Sequence, residues 1–302
     1  MEDNYNLVIS IVNFNGEKYI SDCIDLVLKA KDKSSGKIKI ICIDNHSEDG
    51  SRELLEKYPE VEKFYLDRNI GYAAAHNMVL TIYNSIYFLL LNPDTLMNDE
   101  FNLVEMLFYM DNNSDTAIAT CSLLDAAGKR LPSIAHEPAL LNGFAEQLKL
   151  NAIFKNSSFF QKIGKKFSHR FPLVLNNYNI DPLNSHKKVN YIYGAYLFLR
   201  SAALDKIGKF DENFFLFWEE IDLCIRAKKV GFDIGFNPKT SIVHQSSKSQ
   251  KTVPELSYYW HTASYFWIFK KYYRYKLILW SIGTAIIQFI FIVMNLVQFK
   301  IR

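Results

Sequence analysis

The chain has 302 residues, of which 49% are hydrophobic, and this content is enough to bury a large core. Its net charge of +3 is too small for broad nucleic-acid binding, and the first two thirds contain no long basic run. Disordered and nucleic-acid-binding proteins are therefore excluded as classes. The cysteines show no Cys-x-x-Cys spacing and lie in apolar segments, which favours reduced core residues in a reducing cytosol. They are Cys23, Cys42, Cys121 and Cys224.

The N-terminal half alternates between apolar runs and helical periods. Residues 7–12 and 38–43 are nearly continuous aliphatic runs, typical of strands buried on both faces of a parallel sheet. Between them, apolar residues recur at helical spacing. Further helices are predicted over 50–58, 73–81 and 101–110, and further strands over 64–66, 86–91 and 117–123. This alternation predicts an α/β fold with a mostly parallel central sheet and a ligand at the carboxyl ends of its strands.

Regularity weakens after the strand at 117–123. Residues 125–188 are rich in Asn, Ser and Lys, and indicate an insertion that shapes an acceptor site or contacts a membrane. A plain helical excursion is the alternative. Order returns with a strand pattern over 189–200, a helix over 219–230 and short strands that end near His244. The sequence thus predicts one domain over 1–250 and a separate segment over 251–302.

The two ends of the chain differ in character. The first ten residues contain two acids and no basic region, so we expect no signal peptide. Residues 277–299 contain no charge and are long enough to cross a bilayer core of ~30 Å as a helix. The aromatic and basic residues over 258–276 suit the lipid headgroup layer. We predict a C-terminal hydrophobic helix at the cytoplasmic face of a membrane; an interfacial or buried helix, or a homodimer interface, is the alternative.

Two acids follow predicted strands at what should be one edge of the sheet. Asp44 follows the second strand and Asp94 the fourth, where a carboxylate can bind a ribose or base, or a divalent cation between phosphates. Asp44 could instead cap the next turn. Neither GxxxxGK[ST] nor GxGxxG is present, which argues against a dehydrogenase. Asn69 and Gly71 precede a helix whose backbone amides could face a phosphate.

A second acidic cluster opens the late helix. Glu219, Glu220 and Asp222 either complement the helix dipole or include a general base. The aromatic residues just before them would partly dehydrate a carboxylate and raise its pKa. A lone histidine such as His244 is more often structural than a ligand, although its position after this cluster favours a functional role.

Taken together, seven segments resemble family 2 glycosyltransferases, which are inverting enzymes with the GT-A fold, and most closely their rhamnosyltransferase-like branch. The segments cover about residues 5–250 and occur in the family's order. They are IVNFN at 11–15, IDNHSEDGS at 43–51, NIGYAAAHN at 69–77, LLLNPDT at 89–95, GAYLFLRSAALDKIGKFDENFF at 194–215, EEIDLCIR at 219–226, and His244.

The resemblance implies roles for individual residues. The nucleotide-sugar pocket would be formed by Asn13, Asp44, Asn69, Gly71 and Asn92. Asp94 matches the metal-binding acid of the family's Asp-x-Asp motif, and His244 would approach the same Mg²⁺ or Mn²⁺ ion. Glu220 falls at the position of the catalytic base, with Glu219 before it and Asp222 in support.

Two departures from the family pattern bear on this assignment. Asn92 replaces the first acid of Asp-x-Asp, which makes the metal site more dependent on His244. Glu220 replaces an aspartate, which leaves the choice between Glu219 and Glu220 open.

The resemblance implies transfer of rhamnose from dTDP-rhamnose to a lipid-linked or cell-surface polysaccharide. A UDP-hexose or UDP-N-acetylhexosamine donor is the alternative within enzymes. A non-catalytic, membrane-associated nucleotide-sugar binder or assembly protein is the alternative of another class.

Overall fold

The computed structural model describes residues 4–135, 188–245, 254–273 and 282. The chain divides into two compact units, Met1–His136 with Ile180–Ser264, and Glu137–Asn179 with Tyr265–Arg302. All candidate site residues belong to the first unit. Most of the predicted insertion over 125–188 lies outside the described residues.

The first part of the first unit is a parallel sheet with alternating helices. Its elements are β1 (Asn4–Asn13), α1 (Ile20–Lys33), β2 (Ile38–Asp44), α2 (Ser51–Leu55), β3 (Glu62–Tyr65), α3 (Tyr72–Ile82) and β4 (Asn84–Leu91). The strand order β3-β2-β1-β4 is parallel throughout. The aliphatic runs of β1 and β2 are almost completely buried, because helices cover both faces of the sheet.

The second part adds short strands and the late helices. Its elements are β5 (Thr95–Leu96), α4 (Asn102–Asp111), β6 (Thr116–Leu124), β7 (Arg130–Leu131), β8 (Ile134–Ala135), β9 (Lys188–Val189), β10 (Tyr191–Ile192), β11 (Tyr196–Arg200), α5 (Ser201–Ile207), α6 (Glu219–Lys229), β12 (Asp233–His244) and α7 (Pro254–Tyr272). The predicted strand over 189–200 is thus three short strands, one of which, β10, pairs with β8 in a separate small sheet. The short strands predicted before His244 form one strand of 12 residues.

The prediction of a mostly parallel sheet holds only for its first half. β11 lies antiparallel between β4 and β6, and β12 is parallel to β6 but antiparallel to β5 and β9. The register explains the reversal, because Tyr196 at the start of β11 pairs with Leu91 at the end of β4. The chain therefore enters β11 from the carboxyl edge of the parallel strands. This brings the segment before β11 to the edge where ligands bind in such sheets.

Apolar side chains of the sheet and of α1 and α4 form the core beneath this edge. Ile9 and Leu89 of the sheet pack in one cluster with Ile24 of α1 and Met106 of α4, all fully buried. Full burial of such a side chain stabilises the fold by roughly 1.5–3 kcal/mol. The four cysteines are buried with free thiols, as predicted.

The C-terminal prediction concerns residues that the structure largely leaves out. Residues 277–299, except Ile282, lie outside the described residues, and no described helix is both long and apolar enough to cross a membrane. The helix α7 covers the aromatic and basic region before them, and Lys270 lies over the ring of Trp267 at 4.2 Å.

Candidate active site

The ends of β1 and β2 form one hydrogen-bonded pair. Asn13 and Asp44 are opposite each other in the register, and Asn13 Nδ2 donates to Asp44 Oδ2 at 3.1 Å. Asp44 Oδ1 accepts from the Ser47 amide at 3.0 Å and from Arg52 Nε at 2.7 Å. Burial raises the pKa of Asp44, but the hydrogen bonds from Ser47, Arg52 and Asn13 outweigh it and the net pKa lies below its ordinary value.

This arrangement supports both interpretations of Asp44 in part. Asp44 is fully buried and its carboxylate orders the turn that follows β2, as the capping alternative predicts. It also fixes Asn13, whose Oδ1 accepts no hydrogen bond from any described residue. Gly16 packs against that oxygen so closely that a Cβ atom there would lie 2.1 Å from it. The structure thus brings together Asn13 and Asp44, which would form the floor of the predicted nucleotide pocket.

Three backbone amides around the start of α3 are hydrogen-bonded within the protein. Asn45 Oδ1 accepts from the Ile70 amide at 2.9 Å, and Asn69 Oδ1 accepts from the Gly71 amide at 2.9 Å. The Tyr72 amide donates to Phe215 O at 2.8 Å. The amides of Ile70, Gly71 and Tyr72 are thus bonded within the protein, and the expectation that the first amides of α3 face a phosphate stays a prediction for Ala73 and Ala74.

Asp94 and His244 meet at the carboxyl edge of the sheet. His244, the last residue of β12, pairs with Thr95 of β5, and this pairing brings His244 Nε2 within 3.2 Å of Asp94 Oδ1. Asn92 supports this turn through its main chain, since its amide donates to Ala195 O and its carbonyl accepts from the Thr95 amide. The side chain of Asn92 is half-buried.

The Asp94 and His244 donor set fits a divalent cation that is completed by other ligands. A carboxylate oxygen and an imidazole nitrogen 3.2 Å apart have the spacing of two adjacent ligands on one ion. Within the described residues no group of three or more His, Cys, Asp or Glu side chains could hold a metal. Two protein ligands are nevertheless typical of Mg²⁺ sites in which substrate phosphates supply the rest.

Glu219 and Glu220 open α6 in a buried position. Burial, with the neighbouring Glu220 carboxylate, raises the pKa of Glu219 well above its ordinary value. Burial likewise raises the pKa of Glu220, to about 7, although backbone amides around it act in the opposite direction. The Oε2 atom of each accepts no hydrogen bond from the described residues. The predicted rise in pKa is confirmed for both acids.

A strained turn holds these two acids in place. Phe217 and Trp218, directly before α6, both have left-handed backbone conformations, with φ of 69° and 71°. For non-glycine residues each costs roughly 1–3 kcal/mol, and such strain persists where surrounding contacts fix it. Here the ring of His261 in α7 packs against both residues, with centroids 5.7 and 5.5 Å away.

Asp222 is positioned for a structural role. Its Oδ2 accepts from Arg226 Nε at 2.8 Å, one turn along α6. Arg226 in turn donates to the carbonyls of Ile207, Gly208 and Lys209 at the end of α5. The Asp222 carboxylate thus supports the packing of α6 against α5, and its predicted support of Glu219 and Glu220 stays a prediction.

Two aromatic residues at this edge were missed by the sequence analysis. Phe14, directly after β1, is 49% exposed beside the Asn13 floor. The Tyr72 hydroxyl donates to Gly194 O at 3.0 Å, and Glu220 lies beside Gly194. An aromatic residue directly after a strand is a signal that could have indicated Phe14. Nothing in the sequence signalled Tyr72, since its contacts come from distant segments.

Comparison with known proteins identifies the family of the chain. The family model "Glycosyl transferase family 2" matches residues 8–170, which is more than half of the chain. The low-salt glycan biosynthesis hexosyltransferase Agl10 of Haloferax volcanii is 24% identical over 81% of this chain and 69% of its own length. The N-acetylglucosaminyl-diphospho-decaprenol L-rhamnosyltransferase of Mycobacterium tuberculosis is 23% identical over 70% and 68%. The rhamnosyltransferase WbbL of Escherichia coli is 22% identical over 85% and 90%.

Solved structures share this fold, and one of them is a mannosyltransferase. The mannosyltransferase PcManGT of Pyrobaculum calidifontis, in complex with GDP-Man and Mn²⁺, is 12% identical with a TM-score of 0.54, over 87% of this chain and 64% of that chain. TarS of S. aureus, in complex with UDP, is 15% identical with a TM-score of 0.51, over 80% and 60%. This chain therefore spans less than two thirds of each of those chains. The family match and the shared fold together show that the chain belongs to glycosyl transferase family 2.

Proposed function

We propose that the protein transfers rhamnose from dTDP-rhamnose to a lipid-linked or cell-surface polysaccharide, with inversion at the anomeric carbon. One observation carries the transfer chemistry. A Cβ atom on Gly194 would lie 3.7 Å from Glu220 Cδ, and the next residue, Ala195, accepts from the Asn92 amide at 3.1 Å, so the two buried acids of α6 lie near the Asp94–His244 pair. A base and a site for the leaving group are thus close together.

The buried carboxyl of Glu220 is suited to be the base. A general base works best when its pKa is near the operating pH, and burial raises the pKa of Glu220 to about 7. Glu220 takes the proton of an acceptor hydroxyl as the oxygen attacks the anomeric carbon. The bond from that carbon to the diphosphate oxygen breaks in the same displacement, which inverts the configuration. Glu219 is a second buried acid beside Glu220. Because two adjacent carboxylates repel each other, the two acids do not readily lose both protons.

Asp94 and His244 are the residues that would hold a divalent cation, Mg²⁺ or Mn²⁺. The cation would supply charge neutralisation to the diphosphate leaving group. Their 3.2 Å separation and the chemistry of the two donors support this proposal. The Mn²⁺ complex of the mannosyltransferase that shares the fold supports it further.

The nucleotide would lie over the Asn13–Asp44 floor. Phe14 offers an exposed ring there, and base-on-ring stacking tolerates either thymine or uracil. Because stacking does not separate these bases, the proposal of dTDP-rhamnose depends on the two rhamnosyltransferase relatives. The hexosyltransferase relative and the UDP complex of TarS keep a UDP-hexose or UDP-N-acetylhexosamine as the second candidate donor.

The acceptor is proposed to be membrane-bound, with the protein at the cytoplasmic face. The name of the mycobacterial relative describes a lipid-diphosphate acceptor. The uncharged run over 277–299 and the basic flank before it support anchoring, which would raise the enzyme's concentration near such an acceptor. A C-terminal interface between two copies is the alternative use of this run.

The test is release of nucleoside diphosphate from dTDP-rhamnose, UDP-glucose, UDP-N-acetylglucosamine and GDP-mannose. Each donor is given with a polyprenyl-diphosphate-linked N-acetylglucosamine in detergent, with Mn²⁺, Mg²⁺ or EDTA. We expect metal-dependent turnover of dTDP-rhamnose and inverted configuration in the product. Turnover of a UDP-sugar alone would replace the donor, and donor binding without turnover across acceptors would support the non-catalytic binder instead.

A further inference from the structure

Tyr72 connects three parts of the site. It is the first residue of α3, and its amide donates to Phe215 O at 2.8 Å. Its ring packs edge-on against His76, with centroids 4.3 Å apart. Its hydroxyl reaches the segment just before β11 and donates to Gly194 O at 3.0 Å. The position of Tyr72 is therefore fixed both at its backbone amide and at its hydroxyl.

The main chain that Tyr72 contacts is next to Glu220. A Cβ atom on Gly194 would lie 3.7 Å from Glu220 Cδ, which is an ordinary van der Waals distance, so the carboxyl group faces Gly194 with room for no more than a small side chain between them. The Gly194 amide is one of the backbone groups that stabilise the Glu220 carboxylate. The position of Gly194 thus decides both the space and the hydrogen-bond environment of Glu220.

The same short segment also supports the Asp94 turn. Ala195 O accepts from the Asn92 amide at 3.1 Å and from Thr95 Oγ1 at 3.4 Å. β11 begins only at Tyr196, so Gly194 and Ala195 precede the ladder that would otherwise fix them. A side-chain donor to Gly194 O therefore has more effect here than within a strand.

The tyrosine hydroxyl is suited to donate to a carbonyl. Burial raises the pKa of Tyr72, and the carboxylates of Glu219, Glu220 and Asp94 raise it further, so the phenol keeps its proton. Phenylalanine would fill the same space without the donor.

We propose that Tyr72 is a positioning residue for the transfer reaction: its hydroxyl fixes the Gly194 main chain, which holds the Glu220 carboxyl group in its productive position. The inference rests on the proposed role of Glu220 as the base. Tyr72 acts through Gly194 and needs no contact with donor or acceptor.

The test is Tyr72→Phe, measured in the full chain beside the wild type. Loss of one positioning hydrogen bond is expected to lower kcat about tenfold. The donor KM and the Kd of UDP or dTDP by calorimetry should stay within about twofold, because the pocket floor is untouched.

The same variant should also change the pH profile. The titratable groups that act on Glu220 or are acted on by it are Glu219, Tyr72 and Cys224. The Gly194 amide lowers the pKa of Glu220. Displacement of this amide in Tyr72→Phe should therefore raise the pKa of Glu220 and move the acid limb of the kcat profile to higher pH.

The matched control is Tyr83→Phe. Tyr83 lies directly after the other end of α3, and its hydroxyl donates to Glu62 at 2.6 Å. This control should keep the wild-type kcat and pH profile. Thermal unfolding of both variants checks that the fold is retained.

A double variant separates this inference from the proposed function. If Tyr72 acts through Glu220, adding Tyr72→Phe to Glu220→Gln should lower kcat by less than about twofold more. Full activity of Glu220→Gln would overturn the base and this inference with it. If Glu220→Gln is inactive but Tyr72→Phe matches the wild type, or lowers kcat additively with no change in the pH profile, only the role of Tyr72 is overturned.

Discussion

His244 Nε2 lies 3.2 Å from Asp94 Oδ1 at the carboxyl edge of the sheet, although the two residues are distant in the chain. The pair exists because β12 runs antiparallel to β5, which begins one residue after Asp94. We expect Asp94→Asn and His244→Gln each to weaken Mn²⁺ binding by at least about tenfold, because Mg²⁺ or Mn²⁺ sites with few protein ligands depend on each of them. Titration followed by Mn²⁺ electron paramagnetic resonance measures this directly. Unchanged Mn²⁺ binding in both variants would show that Asp94 and His244 do not bind the metal.

Glu220→Gln removes the proposed base without changing its size. Transfer should fall about 10²- to 10³-fold, since general-base catalysis contributes on that order. The measurement is kcat with the donor at saturation. Glu53→Gln, an exposed glutamate in α2, is the matched control and should behave as the wild type. Should Glu219→Gln abolish transfer while Glu220→Gln does not, the base would be Glu219.

The raised pKa of Glu220 also predicts a pH dependence. A base must be deprotonated to act, so kcat should fall as pH drops below about 7. Stability changes in the opposite sense, because a carboxyl whose pKa is higher in the folded state than its ordinary 4.5 favours folding most when protonated. This contribution is present below about 4.5 and is lost as pH rises through about 7. Glu220→Gln should therefore raise Tm relative to the wild type at pH 8 and have less effect at pH 5, as calorimetry would reveal.

Gly71→Ala tests the close approach of Gly71, in the loop before α3, to Phe215, in the turn before α6. Gly71 has a φ of 88°, and a Cβ atom there would lie 2.6 Å from Phe215 O. Strain and the backbone clash together should lower the free energy of unfolding by about 1–3 kcal/mol. Chemical denaturation measures the loss. Gly128→Ala, with φ of 77° and open space around it, is the control for the φ effect alone; an equal loss in both variants would argue against the clash.

Phe14→Ala tests the proposed stacking of the base. Removal of one base-on-ring contact costs about 1–3 kcal/mol, so the Kd of UDP or dTDP should rise about tenfold or more. Isothermal titration calorimetry gives the constant, and the exposed Phe108 of α4 provides the control substitution Phe108→Ala. An unchanged Kd in Phe14→Ala would place the base elsewhere.

Much of the first half of the fold could be predicted from local sequence. The aliphatic runs of β1 and β2 and the helical period of α1 are local signals, and each of the two strands begins and ends within three residues of its predicted position. The parallel order follows from the alternation of strands and helices. The antiparallel insertion of β11 could not be predicted, because its direction depends on the edge from which the chain enters the sheet.

The candidate site divides in the same way. The sequence by itself determined which acids and which histidine are candidates for the chemistry, since residue types and positions at the ends of strands and helices are local facts. Only the tertiary structure decided that Asp94 lies against His244, that Asp222 is bonded to Arg226, and that Tyr72 contacts the Gly194 main chain. The physical reason is the sequence separation of the interacting groups. Composition and periodicity depend on neighbours along the chain, whereas hydrogen bonds and burial depend on distant segments that the fold brings together.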